Sequence, residues 1–194
     1  MRKFEKISSL VVFVLLLYRI FIGSEFNVLL RVGLIILSIF YLWFGFFLFN
    51  KINFTDLLKR EVRNKLNAFK KTAGIVMGVV YSFCILAIVY CIYFYAAMNF
   101  VLVTAIIALI SSTFLIGLYN TLNMPMQSFY NQFYRRSLII GVLLFAFWLT
   151  PLDAKLDILY KDHPEFIKAY KEYKENPDDP ITKEKLKEAR SLFK

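Results

Sequence analysis

From Thr72 to Tyr134 the chain carries no Asp, Glu, Lys, Arg or His. A stretch of that length cannot be the surface of a soluble domain, because even a helix packed on a core turns a polar face to water. It can face lipid. The rest of the composition agrees: 59% of the 194 residues are apolar and the mean hydropathy is +0.57, against about 45–50% apolar in a soluble domain. The fold class expected is therefore all-α, a polytopic helical membrane protein.

About 20 residues cross the hydrocarbon core as helix, and the apolar blocks are cut to that length. Ile7–Ile22 follows a short basic start. It has the outline of a secretory signal, but Gly23-Ser24-Glu25-Phe26 gives no small-residue cleavage pattern, so it reads as an uncleaved first span. Val28–Phe49 is a second span, Ala73–Tyr95 a third and Phe100–Tyr119 a fourth. The last two are joined by so short a link, Ala97-Met98-Asn99, that they form an antiparallel hairpin. Ser137–Thr150 is short for a crossing, and Leu152 extends it to a fifth span over 137–152. Residues 1–152 thus form a transmembrane domain and 153–194 a soluble helical tail.

The net charge of +10 sits wholly in residues 1–152, with 14 Lys and Arg against 4 Asp and Glu. Basic residues beside membrane spans point to anionic lipid headgroups rather than nucleic acid. Their distribution sets orientation. Arg2, Lys3 and Lys6, the long segment from Lys51 to Lys71, and Arg135-Arg136 are basic, whereas Gly23–Asn27 and Ala96–Asn99 have no basic residue. By the positive-inside rule the N-terminus and both long loops are cytoplasmic, in a cytoplasmic (inner) membrane. Five spans place the tail outside; four keep it inside.

Outside the spans, Thr55–Lys70 has Leu58, Val62, Leu66 and Phe69 at helical spacing, with Lys59, Arg60, Arg63, Lys65 and Lys70 on the remaining face. That is an amphipathic helix for the headgroup plane. Asn120–Arg136, uncharged until its end and rich in amide and aromatic residues, suits a surface or re-entrant loop. The tail reads as two short helices. The first starts at a capping box of Asp162 and Glu165, and the second starts at Pro180 behind an Asp179 cap.

Three groups are candidate sites. Gly74, Gly78 and Ser82 form a small-residue stripe on the third span, matched by Ala108 and Ser112 on the fourth; such stripes let helices approach closely, within the chain or against a partner. Arg19 and Arg31 lie about a turn inside the outer ends of the first two spans with Glu25 between them, a possible anion or headgroup site. The third group is the basic helix itself. Cys84 and Cys91 are too far apart to bridge within one helix, and one His with two Cys gives no metal site. No cofactor is implied, and HExxH, CxxC, GxxxxGK[ST] and GxSxG motifs are missing. The function expected is a non-catalytic subunit or accessory factor of a larger membrane complex, with other subunits or a second copy as partner. A small homo-oligomeric channel or transporter, using Thr104, Ser111 and Ser112, is the alternative. A lipid-acting enzyme at the outer face is the third.

Overall fold

The computed structural model describes residues 1–50, 52, 68–122 and 127–191, with only the backbone of 127–129. Among these residues every regular element is an α-helix: α1 (Arg2–Phe21), α2 (Asn27–Asn50), α3 (Ala68–Ile92), α4 (Met98–Leu122), α5 (Gln127–Leu149), α6 (Leu152–Leu159), α7 (Pro164–Glu175) and α8 (Pro180–Ser191). Four are long and apolar enough to cross a membrane, namely α2, α3, α4 and the Tyr130–Leu149 part of α5. At 1.5 Å per residue α2 reaches about 36 Å, more than the ~30 Å hydrocarbon core. The chain is a helical membrane protein.

The count of five expected from the sequence includes α1, which does not meet the same criterion. Even its most apolar 18-residue stretch, 4–21, holds Glu5, Lys6 and Arg19. Other boundaries shift as well. Among the described residues the third span, α3, covers Ala68–Ile92 rather than 73–95, and Lys70, expected on a surface helix, falls within it. Residues 55–67 of that expected helix, with Lys59, Arg60, Arg63 and Lys65, lie outside the described residues. The Asn120–Arg136 loop is mostly helix, since α4 continues to Leu122 and α5 begins at Gln127. Its amide and basic residues suggest a loop by composition, yet Tyr130 and Phe133 turn inward and are buried.

The chain divides into two compact units. The first comprises Met1–Val11 and Val32–Leu149. Within it α3 is the most buried of the four long helices, and it packs on α4 and α5, which also pack on each other. Helix α2 runs antiparallel to α3 along a line of small residues. Ser38 Oγ donates to the Ser82 carbonyl at 3.1 Å and lies 2.8 Å from Ser82 Oγ. A methyl group on Gly78 would stand 2.7 Å from the Tyr41 carbonyl, and one on Gly45 would stand 2.5 Å from the Gly78 Cα. Further along, Asn50 Nδ2 donates to the Lys70 carbonyl at 3.2 Å. Without glycine at 45 and 78 these backbones could not come so close. That contact supplies the dispersion energy that membrane helices need in place of a hydrophobic drive.

The second unit comprises Val12–Arg31 and Thr150–Lys194, so residues of the α1–α2 turn join the tail that the sequence sets apart at 153. The tail has three helices, not two. His163 rather than Asp162 is the N-cap of α7, with Pro164 in its first turn and no side-chain cap bond. Asp179 does cap α8, accepting from the Ile181 N–H at 3.0 Å. Helices α7 and α8 pair, and Tyr160, Phe166, Leu186 and Ala189 are buried.

Candidate functional site

In the first unit the deepest charged group is Glu5, on the opening turn of α1 and 6% exposed. Its carboxylate accepts from Arg136 Nε at 2.5 Å and Nη2 at 2.7 Å, and from the Tyr41 hydroxyl at 2.8 Å. The Arg136 guanidinium also donates to the Gln132 carbonyl and lies 5.1 Å above the Phe49 ring. This is a bidentate, charge-neutral pair with most of its hydrogen-bonding capacity used. It ties residues 131 positions apart, which no local pattern reveals. The available signal is scarcity: residues 1–152 contain four acidic residues, and one of them lies among Arg2, Lys3 and Lys6.

A second polar group crosses the bundle. The Tyr81 hydroxyl lies 3.0 Å from the Phe133 carbonyl and 2.9 Å from Ser137 Oγ, which is 3.0 Å from Thr113 Oγ1. The small-residue candidates are placed unequally. Gly74, Gly78 and Ser82 lie against α2 as described. Ala108 and Ser112 are half-buried, and Ser112 Oγ donates back to the Ala108 carbonyl within α4 at 2.6 Å. Ala105 of α4 is fully buried, and its carbonyl accepts from Cys84 Sγ of α3 at 3.7 Å. Between α4 and α5 an open apolar groove of about 1180 Å³ runs past Phe114, Gly117, Leu138 and Gly141.

Arg19, Glu25 and Arg31 all fall in the second unit. Arg19 is 2% exposed, and its guanidinium lies 4.7 Å from the centre of the Tyr160 ring in the tail. Glu25 is exposed and accepts from the Tyr18 hydroxyl at 2.9 Å; Arg31 is half-buried. The tail also grips the turn between α1 and α2 at points with no distinguishing sequence pattern. The Ser24 N–H donates to Asp162 Oδ2 at 3.1 Å, and Lys161 Nζ donates to the Phe21 carbonyl at 2.7 Å. Ser24 Oγ lies 2.9 Å from His163 Nε2, and His163 Nδ1 lies 3.3 Å from Glu165 Oε1. Gly23 is required for this approach, since a methyl group there would stand 2.7 Å from Asp162 Oδ2. His163, set aside in the sequence as a metal ligand, thus sits between a hydroxyl and a carboxylate. Among the described residues no cluster of His, Cys, Asp or Glu could hold a metal ion. Comparison with protein-family models, with curated proteins and with solved structures returns no match for the chain.

Proposed function

We propose that this chain is a subunit or accessory factor of a larger membrane assembly, with its N-terminus and basic segments on the cytoplasmic side of an inner membrane and its tail outside. One observation carries the reading. Among the described residues the buried polar contacts of the bundle join its own side chains: Glu5 to Arg136 and Tyr41, Tyr81 to Ser137, Thr113 to Ser137 and Ser38 to Ser82. A bundle closed in this way acts through its surfaces. The channel alternative has less to draw on, because Thr104 donates to the Phe100 carbonyl and Ser112 to that of Ala108, each within α4.

The contact of Ser24 with His163 supports the topology. Both residues must lie on one side of the membrane, so an even number of crossings separates them, and α2 to α5 supply four. With the basic N-terminus inside, α1 makes a fifth crossing, with Glu5 and Arg19 buried and Arg2, Lys3 and Lys6 exposed at its cytoplasmic start. On the cytoplasmic side the partners are anionic headgroups. Within the membrane the α4–α5 groove, with Gly117 and Gly141 in its walls, suits a transmembrane helix of another subunit or a second copy.

Purification from mild detergent followed by mass spectrometry tests the proposal, with a photo-crosslinking residue at Leu138 (68% exposed) to identify what fills the groove. A stoichiometric protein partner or a crosslinked dimer is expected. Recovery of a lone monomer crosslinked to lipid alone would overturn it. A cysteine at position 191, probed with an impermeant maleimide on intact cells, tests the side of the tail, since Cys84 and Cys91 are buried.

A further inference from the structure

We infer that Ser24, His163 and Glu165 form a nucleophile–base–acid relay that cleaves carboxylic esters of acyl-chain amphiphiles at the membrane surface. The inference goes beyond the subunit reading and does not rest on it, since these residues lie in the unit formed by the turn and the tail.

The geometry is specific in which nitrogen meets which partner. A serine hydroxyl is a weak nucleophile until a base within about 2.6–3.2 Å takes its proton, and the base needs a third group to fix its orientation. Here Nε2 faces the hydroxyl at 2.9 Å and Nδ1 faces the carboxylate at 3.3 Å. With its proton on Nδ1, held toward Glu165, the imidazole presents a lone pair on Nε2 to Ser24 Oγ. With the proton on Nε2 instead, no lone pair would face the hydroxyl to accept its proton. The backbone is fixed too, because the Ser24 N–H is anchored on Asp162 and Gly23 leaves room for that anchor. Helix α2 begins three residues on, at Asn27. The first-turn N–H groups of a helix lack partners inside it; here Asn27 N–H donates to the Ser24 carbonyl and Leu30 N–H to that of Phe26, so the Val28 and Leu29 N–H groups are the first-turn donors toward a developing oxyanion.

The chemistry balances without a cofactor. Ser24 Oγ attacks the ester carbonyl carbon while His163 Nε2 takes the hydroxyl proton. The tetrahedral intermediate collapses, the C–O bond to the leaving alcohol breaks, and Nε2 returns the proton to that alkoxide. Water then attacks the acyl–Ser24 ester, giving its proton to Nε2; the acid leaves and Ser24 recovers the proton. Glu165 holds the imidazole and stabilises its charged form, so it is a positioning residue.

The surroundings choose the substrate class. Phe21, Ile22 and Phe26 flank the serine and are 72%, 61% and 47% exposed, and the turn joins a membrane helix. An acyl chain can lie along these residues while its ester reaches Ser24, which a short, soluble ester gains nothing from.

The test uses the full-length protein in phosphatidylcholine nanodiscs, treated with a fluorophosphonate and read by intact mass and peptide mapping. One adduct on Ser24 is expected, with none in Ser24→Ala. His163→Gln should slow labelling about 100-fold or more, the low end for loss of a general base, and Glu165→Gln should slow it by a smaller factor. The wild-type labelling rate should rise with pH, as general-base activation requires. Micellar p-nitrophenyl palmitate should turn over faster than the butyrate. Absence of a Ser24 adduct in the wild type would overturn the inference outright. So would labelling that is independent of pH or unchanged in His163→Gln, because a hydrogen bond that only pins the tail confers no nucleophilicity. Should His163→Gln fail to fold, the wild-type adduct and pH profile still decide.

Discussion

Replacing Glu5 by Leu would leave the Arg136 guanidinium facing an apolar group instead of the carboxylate to which it makes two bonds. Removing one partner of a buried pair costs about 3–5 kcal/mol, because the remaining charge stays desolvated. The Arg136 side chain retains 17% exposure, so some water reaches it, and we expect a cost near the bottom of that range, about 3 kcal/mol. Arg136→Met strands the Glu5 carboxylate with the Tyr41 hydroxyl as its remaining described donor, at a similar cost. The double variant removes both charges together. Apolar replacement of a whole pair is often close to neutral, and the principal loss is then the Tyr41 hydrogen bond, about 1 kcal/mol. A double-mutant cycle measured by steric trapping or SDS titration in mixed micelles should therefore give a coupling energy well above about 2 kcal/mol. Single variants costing under about 1 kcal/mol each, and adding in the double, would refute the pairing.

Other outcomes follow from the same packing. Gly45→Ala and Gly78→Ala push a methyl group onto backbone atoms at 2.5 and 2.7 Å and should each cost about 1–3 kcal/mol, while Gly141→Ala, whose nearest neighbour is a leucine methyl at 3.6 Å, should stay within about 0.5 kcal/mol; equal effects at all three sites would contradict the crossing. Ala97 holds φ at 62° in the α3–α4 turn, a region in which a Cβ is unfavourable, so Ala97→Gly should raise stability by about 1 kcal/mol in the same assay. In the tail, Lys185 donates to Glu172 and holds its carboxyl below the ordinary range. Whatever this bond contributes is present above the unfolded carboxyl pKa and is lost as pH falls through the lowered folded value; a carboxyl NMR titration should show that midpoint return to the ordinary range in Lys185→Ala.

All four helices long and apolar enough to cross a membrane were legible in the sequence, because a long apolar run fixes both the environment and, by length, the element. The start of α5 was not. Asn131, Gln132, Arg135 and Arg136 have loop composition, and the partner of Arg136, Glu5, lies at the far end of the sequence. The Gly74–Gly78 stripe was readable as a packing face, whereas its counterpart Gly45 was not, because a single glycine in an apolar helix carries no period. Ala105, whose carbonyl accepts from Cys84 of α3, had no small-residue pattern to single it out. Arg19 was readable as unusual for its depth. The contact of the tail with Ser24 was hidden for the same reason as the Glu5 pair: it is made between groups 138 and 139 residues apart, and a sequence read locally cannot show such pairings.

That separation orders events during biosynthesis. The turn containing Gly23 and Ser24 leaves the ribosome early, and the groups that hold it, Asp162 and His163, are not synthesised until every intervening helix has been made. Until then the turn has no tail to hold it, so its protection from protease or hydrogen exchange would report that the whole chain has been threaded through the bilayer and released.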